Sequence, residues 1–184
     1  MRLLTLLIML GLLTACADRS GCPPSLSELG RSEGEAGSAA SLPIKQCELS
    51  EAERDQYYAA RNEGLKRYCD ASDGFSKGLA GESVDPEVCP LDLRKQFRSG
   101  WRAGNEITKL EKRRLESLQE AETLEQTADG VQDEARQALL AKANALRQDA
   151  RQDQNDLEAL RGLATVQGWQ AAPAIPKEPF PQGN

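Results

Sequence analysis

The chain has no histidine, few aromatic residues, no proline between Leu91 and Ala172, no C-x-x-C pair and no long basic block. Without histidine, the commonest general base near neutral pH and the usual partner of a nucleophilic serine are missing. A zinc site built from cysteine and histidine loses half its usual ligands, and the cysteines that remain lack ligand spacing. Aromatics make up only 4% of the chain. That excludes a large conventional core and favours one small domain with extended helix over two globular domains. The net charge is −6, one unit more negative if Arg2 is removed, so nucleic acid is excluded as a partner and anionic headgroups are poor ones. The proline-free span permits a very long helix.

What is present begins with a leader pattern. Met1-Arg2 precedes an apolar run, Leu3 to Leu13, too short to span a bilayer and typical of a secretory signal. Leu13-Thr14-Ala15-Cys16 resembles the lipobox of bacterial lipoproteins. The resemblance implies that residues 1–15 are cleaved as a signal peptide, in place of an ordinary secretory cut, and that Cys16 carries acyl chains such as palmitate. At about 0.8 kcal/mol per buried methylene, several chains on one residue attach a protein firmly without spanning the membrane. By the same resemblance, Ala17 after the cysteine favours the outer membrane facing the periplasm, and Asp18 keeps the inner membrane as the alternative. Residues 16–21 then form a lipidated tether.

Four cysteines remain after Cys16: Cys22, Cys47, Cys69 and Cys89. An even number in an oxidising compartment argues for two disulfides, with three connectivities open. The sequential pairs, Cys22 with Cys47 and Cys69 with Cys89, are preferred, and each closes a loop at roughly 3 kcal/mol.

The patterning is all-α: a small disulfide-stapled helical domain over residues 22–104, with a long C-terminal extension as a hairpin or coiled coil. Ser25 with Glu28 and Ser50 with Glu53 have capping-box spacing and start two helices, the first running to about Gly37. Tyr57, Ala60, Gly64 and Tyr68 share a face of the second, which Cys69 closes. Asp70 to Gly74 reads as a turn, and Phe75, Gly78 and Gly81 as a short helical turn packed against a neighbour. Pro90 opens the next helix. Its stripe runs through Leu93, Phe97, Gly100, Gly104, Ile107 and Leu110, is interrupted at Arg114 and Ser117, and continues through Ala121, Leu124, Ala128, Val131 and Ala135. A second register follows from Leu139 through Ala143, Leu146, Ala150, Asp153, Leu157 and Leu160 to Ala164. Asp129-Gly130 with Gln132 reads as a stop and restart, which favours an antiparallel hairpin over residues 105–165 above one continuous helix. Residues 166–184 read as a proline-rich disordered tail.

Three segments share one spacing: SELGRSEG, YYAARNEG and FRSGWRAG place a small residue four positions before a glycine, at Gly30 with Gly34, Ala60 with Gly64, and Gly100 with Gly104. Glycine inside a helix costs up to about 1 kcal/mol against alanine, so close helix packing is the expected return. A phosphate cradle needs a preceding strand that is not evident, and a transmembrane dimer motif needs apolar helices.

These residues resemble the family of small Gram-negative envelope lipoproteins grouped as domain of unknown function 2799. The resemblance rests on Gly30, Gly34 and Gly37; on Tyr57, Arg61, Gly64-Leu65 and Tyr68-Cys69; on Gly74-Phe75, Gly78 and Gly81; on Val88-Cys89-Pro90; and on Phe97 with Gly104. It covers roughly residues 22–104 and implies an envelope location and a helical fold, with no assigned activity. Ala60 stands where the family pattern has glycine, and the first helix lacks a tryptophan.

For chemistry, Glu82-Ser83 is a faint match to the glutamate-serine pair of peptidoglycan-cleaving enzymes, and Glu82 supports the alternative of a glycan-acting or glycan-binding protein. Glu63 and Glu106, the latter able to pair with Lys109, read as surface charges. Tyr57, Tyr58, Tyr68, Phe75, Phe97 and Trp101 could line a groove but are needed for the core. The expectation is therefore a non-enzymatic, membrane-anchored periplasmic protein with no cofactor. It meets an envelope partner or a second copy of itself through residues 105–165.

Overall fold

The computed structural model describes residues 22–42 and 47–170, which are helical and contain no strand. Residues 1–21, with the leader, Cys16 and the tether, and residues 171–184 lie outside the described residues. Helix α1, Leu26–Glu35, starts where Ser25 Oγ accepts from Glu28 N at 3.2 Å; Glu28 returns no bond, so half of the expected capping box forms. It ends in a Schellman turn: Gly37 N donates to Gly34 O at 3.1 Å and Ser38 N to Glu33 O at 2.9 Å, with Gly37 at φ +61. Helix α2, Glu51–Tyr68, has the complete box between Ser50 and Glu53.

Helix α3, Ala71–Leu79, replaces the turn expected over Asp70–Gly74. Asp70 is its N-cap, accepting from Ser72 N at 2.8 Å, and Asp73 adds negative charge to the first turn. A 3-10 turn at Pro86–Val88 leads to α4, Leu91–Ala128, which passes Gly104 without interruption. Helix α5, Asp133–Val166, returns along α4 as an antiparallel hairpin. The expected break is there, but Asp129 terminates α4 and does not cap α5. Val131 and Ala135 consequently fall in the turn and the exposed start of α5, and do not prolong the stripe.

Small residues close the hairpin. Ala121 and Ala128 on α4, and Ala143, Ala150, Leu157 and Ala164 at seven-residue intervals on α5, are buried. This is coiled-coil packing with alanine permitting close approach. Asp153 sits in this seam, only 3% exposed, and Arg113 reaches across with both Nε and Nη2. Those hydrogen bonds hold Asp153 below the usual carboxylate range, outweighing the opposing effect of burial. Its contribution is thus present at neutral pH and is lost as pH falls through the lowered folded pKa. Arg113→Met, which strands a buried carboxylate, is expected to lower the melting temperature more than Asp153→Leu at neutral pH. Melts repeated in acid, where Asp153 is protonated, should show the difference closing. Lys142–Glu120 and Arg147–Glu125, at 2.7 and 2.6 Å, line the rims and contribute little individually.

The far end of α5 comes back to the domain. Phe75, Ala103, Ile107, Leu110, Leu157 and Ala164 form one core cluster, with Leu79, Leu160 and Trp169 against it. The Trp169 ring lies 6.0 Å from that of Phe75. Order therefore extends past residue 166, where the tail was expected to begin, because the indole buries itself on α3.

Candidate functional site

The glycines report which helices touch. A Cβ at Gly34 would collide with Arg61 O and approach Leu65 N to 2.9 Å; one at Gly64 would lie 2.5 Å from Arg31 O, and one at Gly30 would strike Tyr57 O. Backbone thus meets backbone between α1 and α2, and the contacts advance in the same direction along both, so the helices run parallel. Helices α3 and α4 repeat the arrangement. A Cβ at Gly78 would come to 2.7 Å from Asn105 N and one at Gly104 to 2.7 Å from Leu79 N, while Gly74 abuts Phe97 O and Gly100 abuts Ala71 O.

The glycine segments are therefore not three equivalent copies. They are the visible part of a twofold repeat in which Gly30, Gly34, Tyr57 and Gly64 correspond to Gly74, Gly78, Phe97 and Gly104. The member missing from the three segments is Gly74 with Gly78, which has the same spacing. Its signal is in the sequence: GRSEGEAG at 30–37 against GFSKGLAG at 74–81. Both close in the same turn, since Gly81 N donates to Gly78 O and Glu82 N to Lys77 O, each at 3.0 Å. Gly81, expected as a packing residue, instead has φ +70 with nothing near a Cβ position, so it serves the left-handed turn.

Each unit carries its own disulfide, Cys22–Cys47 with Cα atoms 5.8 Å apart and Cys69–Cys89 at 5.7 Å. In both, the bridge joins the residues just before the first helix to those just before the second. Parallel neighbours require the chain to return the full length of a helix, and the disulfide closes that return loop. Ala60 occupies the position of Gly100 in the other unit; it is half-buried and borders an open groove with Ser27 and Arg31, where its methyl group has room.

The units differ on their outer faces. Arg67 pairs with Glu35 at 2.9 Å in the first, where the second has Ile107 and Leu79 under α5. Between the units lie Leu65, Tyr68, Phe97 and the Cys69–Cys89 bridge. The Tyr68 and Phe97 rings are 5.1 Å apart, and Lys77 Nζ sits 4.9 Å over Tyr68.

Displaced protonation follows from this packing. Tyr57 is fully buried and its hydroxyl donates to Glu33; burial, then the Glu33 hydrogen bond, push it up to about 12. Burial raises Glu33, but hydrogen bonds from Ser41 and Tyr57 outweigh it and leave the carboxyl below its ordinary value. Tyr68 is raised by burial and by Asp73, Glu82 and Asp85. The unfolded chain ionises Tyr57 first, so stability is expected to fall as pH rises from 10 towards 12. An ultraviolet tyrosinate titration should show a last ionisation step that Tyr57→Phe removes.

The remaining candidates are dispersed. Tyr57, Tyr68, Phe75 and Phe97 are core residues and not a groove, and Tyr58 is exposed. Trp101 Nε1 donates to the backbone oxygen of Glu82 at 2.9 Å, and the Glu82 residue is exposed in the turn after α3. Glu63 pairs with Lys66 at 2.6 Å. Glu106 makes no ion pair with Lys109; its charge acts on Arg113. Among the described residues, no histidine, cysteine, aspartate or glutamate cluster could hold a metal ion.

The family model for proteins of unknown function DUF2799 matches residues 27–106. These residues belong to DUF2799. The DUF2799 segment contains both helix pairs and stops in α4 just beyond Gly104, leaving the rest of the hairpin outside the match. No curated protein and no solved structure matches the chain.

Proposed function

We propose that the chain is a non-enzymatic lipoprotein of the bacterial envelope in which the DUF2799 unit is a rigid mount and the α4–α5 hairpin an interaction arm. The observation that carries this reading is the continuity of α4 from the glycine junction to Ala128. One helix belongs to both parts, so the arm cannot swivel on the mount, and it extends about 36 Å beyond Gly104 at 1.5 Å per residue. The lipobox-like Leu13-Thr14-Ala15-Cys16 supports attachment through Cys16, and two disulfides suit an oxidising periplasm. Among the described residues, no helix is long and apolar enough to cross a membrane, as attachment by acyl chains requires none.

Two measurements test it. Cells fed a palmitate analogue should label the chain and not its Cys16→Ser variant; equal labelling, or none in either, counts against the anchor. Cross-linkers placed at exposed positions from Leu118 to Leu157 should capture a protein or a second copy, and an arm that meets only solvent contradicts the interaction role.

A further inference from the structure

The second unit carries an apolar set, Phe75, Leu79, Ala103 and Ile107, in one cluster with Leu157, Ala164 and Trp169 from α5 and the turn after it. At the same four positions the first unit has Arg31, Glu35, Glu63 and Arg67, all exposed. A glycine-packed parallel pair therefore folds with charge on this face, and the apolar set of the second unit serves the helix that lies on it. Phe75, Leu79 and Ala103 fall within the DUF2799 match, which ends at residue 106, whereas α5 lies wholly beyond it. The cover weakens towards the end of α5. Asp153 and Arg161 are paired with Arg113 and Glu111, but no charged residue occurs from Gly162 to Gln170. Leu163 and Val166 are exposed, which leaves Ala164, Trp169 and a 3.4 Å hydrogen bond from Ser76 Oγ to Gln170 O. Gly168, at φ +71, closes a Schellman turn in which Trp169 N donates to Ala164 O at 2.9 Å, and this turn aims the indole back at Phe75. Open cavities border the indole on both sides, about 650 Å³ beside Ser72 and Ser99 and about 320 Å³ beside Leu79 and Ile107.

We infer that residues 162–170 are a self-docked latch on a helix-binding face of the DUF2799 unit. Seated, the latch closes the face with the chain's own Ala164 and Trp169. Lifted, it bares Phe75, Leu79 and Ile107, while α3 and α4 stay joined by their glycine backbone contacts and by Cys69–Cys89, none of which involves α5. The ligand that fits is the one seated there: an amphipathic helix with leucine and alanine at heptad spacing, ending in a glycine-turned tryptophan. A helix from outside must displace the latch, so its apparent affinity falls with the fraction of chains that are open. The inference holds whether or not the chain is lipidated.

The probe is a fluorescent peptide of residues 154–170 added to the full chain. Trp169→Ala removes the indole, and Gly168→Ala strains the turn that aims it, at a position with nothing within 4 Å of the added Cβ. Each variant should bind the peptide about tenfold more tightly than the unsubstituted chain does, or better, and a peptide that itself carries Trp169→Ala should bind none of them. Hydrogen exchange on the unsubstituted chain, which needs no variant to fold, should be about tenfold faster or more over residues 162–169 than over residues 143–157. Equal peptide binding by all three chains, or equal protection along α5, overturns the latch. No binding by either variant overturns the helix-binding face.

Discussion

Gly104→Ala is expected to destabilise the folded chain by about 3 kcal/mol, the upper range for overpacking and a large share of the stability of a small domain. The added methyl would collide with Phe75 O and lie 2.7 Å from Leu79 N, with the Gly78 backbone beyond. All three neighbours are backbone, so no side-chain rotamer relieves the overlap. Helices α3 and α4 must move apart, and the Phe75 and Ile107 cluster that α5 covers opens with them. Alanine returns up to about 1 kcal/mol of helix propensity, which does not offset the loss. Gly162→Ala is the matched control. It also lies inside a helix, with nothing within 4 Å of its Cβ position, and should stabilise by up to about 1 kcal/mol. Denaturant midpoints for the two variants should move in opposite directions.

Removing the second staple has the next largest effect. Cys69→Ala with Cys89→Ala is expected to cost about 3 kcal/mol, the loop-closure value for a bridge of this span, here a sequence separation of 20. Both sulfurs lie in the cluster with Leu65, Tyr68 and Phe97, so the loss falls at the junction between the two units as well as within one of them. Alanine is the better replacement than serine, since a hydroxyl there would be buried among apolar side chains. A reduced denaturant midpoint is the expected result, and an unchanged midpoint would show that the return loop is already fixed by its other contacts.

Much of the fold was legible because its signals are local. The Ser50–Glu53 box, the glycine near the end of α1 and the break at Asp129-Gly130 each act within a few residues, and the even cysteine count pointed to two bridges. Asp70 was misread because aspartate suits both a turn and an N-cap; only the helix that follows decides between them. The small-x-x-x-glycine spacing marks a helix face that another backbone approaches, but does not say which backbone. That depended on the parallel pairing of α1 with α2 and of α3 with α4, which grouped the segments two by two. Asp153 stood visibly in an apolar register, but its partner Arg113, forty residues earlier, is set by the register of the hairpin.

Two parallel helix pairs, each closed by its own bridge, form the centre of the structure; an oxidising compartment and a lipidated Cys16 are proposed for them. Mass spectrometry of non-reduced proteolytic peptides from the chain isolated from envelopes addresses all of this at once. The predicted result is one peptide pair joining Cys22 to Cys47, one joining Cys69 to Cys89, and an acylated Cys16 at the amino terminus. Free thiols at the four positions, crossed pairs, or an unmodified Cys16 would contradict it.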